Sequence, residues 1–139
     1  MKTIAFIDAS NIIYGTRDEG WKVDFKKLYK YLCERYELVL KPVKIFTRAD
    51  GSSVRKANCD VDLTFYTMCD KDLFSRAIFM TGDGDFEILL KYLIEIKKEV
   101  VVIANGKRTA REIKQLIGER FASLGSLKQL LEYKKRQTH

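Results

Sequence analysis

Four short runs rich in Val, Ile and Phe recur along this chain, separated by stretches whose apolar residues repeat at helical spacing. Residues 2 to 7 (KTIAFI), 43 to 47 (VKIFT), 76 to 81 (RAIFMT) and 99 to 104 (EVVVIA) read as short buried strands. Phe25, Leu28, Tyr29 and Leu32 form an apolar helical face behind an Asp24 cap. Ile88, Leu89, Tyr92, Leu93 and Ile96 form another after Asp85, and Asp60 to about Cys69 is a weaker helix. Parallel neighbours need crossover connections, and helices that supply them cover both faces of the sheet. The alternation therefore predicts an α/β fold, a three-layer α/β/α sandwich with a mostly parallel central sheet.

A chain of 139 residues, 46% hydrophobic and 32% charged with one proline, is expected to fold alone as one domain. Its core is placed at about residues 3 to 127. A basic C-terminal helix is expected at about 124 to 136, with Ser126 as its cap and Leu127, Leu130 and Leu131 on its apolar face. Thr109 to Glu112 matches a capping box for the helix before it. Cys33, Cys59 and Cys69 are odd in number and form no Cys-x-x-Cys pair, so neither a disulfide framework nor a zinc site is expected. The opening MKTIAFIDAS is too short an apolar run for a signal peptide or a membrane span, and a cytoplasmic location with reduced thiols is expected. The oligomeric state is left open, a homodimer included.

The net charge is +7, and residues 105 to 139 hold nine Lys/Arg against three Asp/Glu. A basic end of this kind attracts polyanions, of which nucleic acid is the commonest, although a solvated helix face has the same composition.

The chemistry lies in carboxylates. Ligands of open parallel sheets sit beyond the carboxyl ends of the strands. Asp8 closes the first strand, and Asp83 and Asp85 follow the third, with Asp60 and Asp62 expected at the start of a helix on the same rim. Ionised carboxylates gathered within a few ångströms are tolerated when protons or cations join them. Oxygen-only ligands favour Mg²⁺ or Mn²⁺ over zinc. Each acid also has a plainer reading, since Asp-Gly is a common turn and Asp85 or Asp60 could cap a helix.

Other chemistries are excluded by what is missing. The single histidine is the last residue, His139, which removes a Ser-His-Asp arrangement. Gly82 and Gly84 lack the third glycine of a dinucleotide fingerprint and no Walker-type run occurs, so no nucleotide cofactor is expected. A receiver needs an acceptor aspartate where Thr47-Arg48 ends the second strand, and a haloacid-dehalogenase-like phosphatase needs a second aspartate where Ser10 stands.

FIDASNIIYG at 6 to 15, RKANCDVDL at 55 to 63 and TGDGDFEILLKYL at 81 to 93 together resemble the NYN domains of the PIN-like nuclease superfamily, which include the LabA-like bacterial proteins. The likeness spans roughly residues 3 to 127, and GERFASL at 118 to 124 is similar to the group's closing helix segment. It implies a ribonuclease, expected to be an endoribonuclease with single-stranded RNA as its partner, that hydrolyses phosphodiester bonds with metal-activated water and Mg²⁺ or Mn²⁺ held by Asp8, Asp60, Asp83 and Asp85. Asn11 matches the asparagine that orients a ligand or water. Where LabA-like members often carry a further aspartate, this chain has Tyr66, which favours the rival reading of an RNA-binding adaptor with weak or no catalysis.

Arg48, Arg55 and Lys56 are expected to hold flanking phosphates, and Ser10, Asp62 and Thr81 complete the expected substrate-binding set. Tyr14 and Trp21 are candidates for stacking on unpaired bases, with a core role as the alternative.

Overall fold

Side chains on successive strand residues point to opposite faces, and the core of this protein divides along that period. Ile4 and Phe6, Ala77 and Phe79, and Val100 and Val102 enter one apolar cluster, while Ala5 and Ile7, Ile78 and Met80, and Val101 and Ile103 enter the other. The computed structural model that reveals this describes residues 2–36, 38, 43–46 and 53–135, with 43–46 and 53–59 described by their backbone alone.

The strands are β1 (Thr3–Asp8), β2 (Val43–Phe46), β3 (Arg76–Met80), β4 (Glu99–Ala104) and β5 (Phe121–Ser123). They form one five-stranded sheet in the order β2-β1-β3-β4-β5, and all four pairings are parallel. The helices are α1 (Ala9–Asp18), α2 (Phe25–Tyr36), α3 (Ser53–Asp70), α4 (Glu87–Glu95), α5 (Arg111–Ile117) and α6 (Lys128–Leu131). Residues of α3, α4 and α5 pack in the cluster with Phe6, those of α1, α2 and α6 in the cluster with Ile7. The three-layer α/β/α architecture is thus as expected. On the Phe6 side the rings of Phe6 and Phe79 stack at 5.3 Å, and Phe74 meets Phe6 edge-on at 5.9 Å.

Several local expectations are corrected. The GERFASL segment is no closing helix but holds a strand at its centre: Gly118, at φ 59°, ends α5 in a conformation that costs side-chain-bearing residues, a 3-10 turn follows over Gly118–Arg120, and Phe121–Ser123 pairs with Val102–Ala104. Thr109 caps nothing. Its buried hydroxyl donates to the Asn105 carbonyl at 2.6 Å, and α5 starts without a side-chain cap. Ser126 likewise donates to the Ser123 carbonyl and leaves α6 uncapped. The C-terminal helix is only four residues long. After it the chain joins the α1–α2 connection, with Asp24 N donating to Leu131 O, Tyr133 N donating to Lys22 O, and a bridge between Val23 and Glu132. Trp21 is buried in that region, which removes it as a stacking surface.

The amino edge of the sheet pairs its charges. Arg76 donates to Thr3 Oγ1 and the Tyr36 carbonyl, and Glu99 accepts ion pairs from Arg76 at 3.3 Å and Arg120 at 3.2 Å. Among the described residues, no helix is long and apolar enough to cross a membrane.

Candidate metal centre

The turn that leaves β3 is built by its own polar groups. The Asp83 backbone is extended (φ −69°, ψ 124°), its Oδ1 accepts from the Asp85 amide at 3.0 Å, and its carbonyl accepts from the Phe86 amide. Asp83, not Asp85, is therefore the capping residue, and α4 follows with no side-chain cap. The helix-cap reading of Asp85 does not hold.

This turn is latched to the loop after β4. A Cβ on Gly82 would collide with Thr109 Oγ1 and meet Thr109 Cα at 2.9 Å, so only glycine permits the approach. The Gly82 carbonyl accepts from the Ala110 amide at 3.0 Å. Asn105, buried, holds the other side of the loop. Its Nδ2 donates to the Gly15 carbonyl at 2.7 Å, and its Oδ1 accepts from the amides of Lys107 and Arg108. One side chain thus ties α1 to the loop that braces Asp83 and Asp85.

Asp60 comes from the opposite side. It is the eighth residue of α3, which begins at Ser53, so the helix-start explanation for this aspartate fails. Carboxylate oxygens of Asp60, Asp83 and Asp85 lie within 4.8 Å of one another. Asp60 and Asp83 are half-buried and Asp85 is exposed. At that separation each pair of negative charges repels by roughly 3 kcal/mol at an effective dielectric of about 20. Asp83 and Asp85 take part in no ion pair among the described residues, in contrast to Glu99 at the other edge. Three converging carboxylates without sulfur or imidazole fit a hard divalent cation such as Mg²⁺ or Mn²⁺, and fit zinc poorly.

Asp8 lies outside this trio but at the same edge. It follows Ile7, which pairs with Met80, and it is only 5% exposed. Its Oδ1 caps α1 by accepting from the Asn11 amide at 3.1 Å, which places a carboxylate at a helix N-terminus, where it is favoured. Ser10 and Asn11 are half-buried in the first turn of α1. Thr81, expected in the substrate-binding set, is 1% exposed, and its hydroxyl accepts from the Asp83 amide at 3.4 Å, so it supports the turn. Asp62 is exposed, two residues beyond Asp60 and so about 200° around the helix from it. Arg55 and Lys56 belong to the first turns of α3, their side chains outside the described residues, and Arg48 lies outside them altogether. Tyr14 and Tyr66 are both exposed.

Two cations of the segment latched to the Asp83 turn were not singled out in the sequence reading. Lys107 and Arg111 are exposed, three residues before and one after Ala110, the residue bonded to Gly82. Between them Arg108 is engaged with Asp18. The charge excess after residue 105 was visible in sequence, but the contact of Thr109 and Ala110 with the Asp83 turn was not.

An all-parallel α/β sheet with acids collected past its carboxyl edge is what the resemblance anticipated, and comparison with known proteins shows the family. The chain belongs to the NYN domain family, whose model matches residues 36–124. This places it in the PIN-like nuclease superfamily. It is similar to the low amplitude and bright protein LabA of Synechococcus elongatus, with 21% identity over 91% of this chain and 86% of that protein. Its fold is similar to the crystal structure of a protein of unknown function from Vibrio parahaemolyticus, with a TM-score of 0.64 and 14% identity over 88% of this chain and 92% of the other.

Proposed function

We propose that this protein is a metal-dependent ribonuclease that hydrolyses phosphodiester bonds of single-stranded RNA. The observation that carries the reading is the convergence of Asp60, Asp83 and Asp85 at the carboxyl edge of the sheet. These three, with Asp8 beside them, would hold Mg²⁺ or Mn²⁺. Bound there, a divalent cation supplies charge neutralisation for the phosphodiester and lowers the pKa of water that attacks it.

The protein's own groups do the positioning. The Thr109–Gly82 contact and the Asp83 cap hold two carboxylates on a turn that cannot easily relax apart. Three acids facing a polyanion would repel it, and Lys107 and Arg111 offer compensating charge for the phosphates beside the cut. In-line attack by water leaves a 5′-phosphate and a 3′-hydroxyl.

The test is a labelled single-stranded RNA incubated with Mn²⁺, with and without chelator, using wild type and Asp83→Asn. The asparagine keeps an oxygen for the Asp85 amide while deleting one charge, so the turn persists. Cleavage by the wild type alone, abolished by chelator, is the expected result. The exposed Tyr66, where the resemblance expects an aspartate, favours a second reading as an RNA-binding adaptor. Intact RNA, bound equally by both proteins, would establish that reading instead.

A further inference from the structure

A cavity of about 370 Å³ opens directly beside the carboxylate cluster, lined by Asp60, Val61, Thr64 and Phe65 of α3 and by Asp85 and Phe86 of the β3–α4 turn. It is within the size range of small-molecule sites, roughly 300–1,000 Å³. Its two acids are members of the cluster, while Val61, Phe65 and Phe86 make the remaining wall apolar. Phe86 is buried, but Val61 is 65% and Phe65 58% exposed. These two stand one helical turn apart on the same face of α3, and the Phe65 ring meets Tyr66 edge-on at 5.4 Å. Large apolar groups left in water beside a polar centre mark a binding surface.

We propose that this cavity is a nucleobase subsite that takes one unpaired base next to the scissile phosphate, with Phe65 as its stacking surface. The inference rests on the nuclease reading and gives its single-strand requirement a structural cause. Continuity with the centre decides the occupant. A group in the cavity lies beside Asp60 and Asp85, so a ligand held through a cation on those acids can extend straight into it. In a nucleic acid the base is joined to the phosphate through one sugar, and it presents a flat apolar face. A base inside a duplex is paired and stacked and cannot enter without being extruded. Thr64 is the one lining side chain besides the two acids that can hydrogen-bond, so the subsite reads the presence of a base far better than its identity. Another cavity, of about 390 Å³ against Ile13, Trp21 and Phe25, shares no residue with the cluster and is not a candidate for this base.

The test is an abasic scan. A fluorescent single-stranded RNA, with one abasic nucleotide moved along its length, is titrated in Mn²⁺ into the Asp83→Asn protein, which suppresses cutting, and into the same protein with Phe65→Ala or Phe65→Trp added. With one protein form the abasic gap should weaken binding at a single position by about 5- to 150-fold, the range for losing one stacked base. Phe65→Ala should bind the intact strand more weakly by a similar factor and lose sensitivity to the gap, and Phe65→Trp should regain both. Manganese uptake by Phe65→Ala in the otherwise native chain should equal that of wild type. Equal gap sensitivity in the alanine variant overturns the proposal. So does a change of oligomeric state on sedimentation with no change in the scan, which would assign the face to contact between copies of the chain. Failure of the nuclease reading is seen separately, as absence of cleavage by the native protein.

Discussion

The amide of Ala110 donates to the carbonyl of Gly82 at 3.0 Å, so the start of α5 is fastened to the turn that carries Asp83 and Asp85. Two segments nearly thirty positions apart thereby behave as one unit. Disturbing either should be felt at the carboxylates, although neither Gly82 nor Ala110 has chemistry of its own.

Gly82→Ala places a methyl group 2.9 Å from the Thr109 Cα, a backbone atom that cannot swing away. Overpacking of this kind costs about 1–3 kcal/mol. Thermal unfolding should show a midpoint lowered by several degrees, with weaker Mn²⁺ binding by calorimetry. A variant with unchanged midpoint and unchanged binding would mean that Thr109 does not brace the turn.

Asn105→Ala strands a buried carbonyl at Gly15 and two amides at Lys107 and Arg108. Unsatisfied buried groups cost about 1–3 kcal/mol. Chemical denaturation should register that loss, while hydrogen exchange of the Lys107 and Arg108 amides should accelerate relative to the strands. Asn105→Asp should rescue poorly, because it keeps the acceptor, loses the donor to Gly15 and buries a charge.

Asp85→Asn and Asp62→Asn separate the cluster from its neighbourhood. The first removes one of three convergent charges and should lower cleavage by at least the roughly 10- to 100-fold that losing an outer-shell partner of a metal site costs. The second lies about 200° around α3 and should leave the rate within about twofold. Equal effects would show that the acids act through net charge alone.

Lys107→Gln and Arg111→Gln should each weaken RNA binding across all sequences and reduce the slope of log affinity against log salt by about 1. Measuring affinity at several salt concentrations checks this. Arg108→Gln, whose partner is Asp18, should change the slope less.

Glu99→Gln tests the opposite edge. It breaks pairs with Arg76 and Arg120 that are partly exposed, so the stability loss should be about 1 kcal/mol and smaller at high salt. Cleavage per folded molecule should be unaffected, since this network sits at the amino ends of the strands.

Much of this molecule was legible from local pattern. The apolar runs ending at Asp8 and Thr81 are strands because a central parallel strand is buried on both faces, and such burial leaves a continuous hydrophobic signature. β5 left no such trace: three half-buried residues are too few to establish a period, and it is pairing with β4 that makes them a strand. The capping motif at Thr109 failed for a different reason. Its hydroxyl had two local partners to choose from, and the Asn105 carbonyl four residues before it, which also accepts from the Thr109 amide, won over the amides ahead.

Residue order alone determined the three-layer parallel plan and the aspartates that end up past its strands, because strand burial and crossover handedness leave few other arrangements. Tertiary structure decided which of those acids meet. Asp60 joins Asp83 and Asp85 because α3 is seated at a particular height against the sheet, Asp8 stays one strand away as a buried cap, and Thr81 turns inward. Carboxylate spacing depends on packing between elements distant in the chain, and no local pattern encodes a distance of that kind.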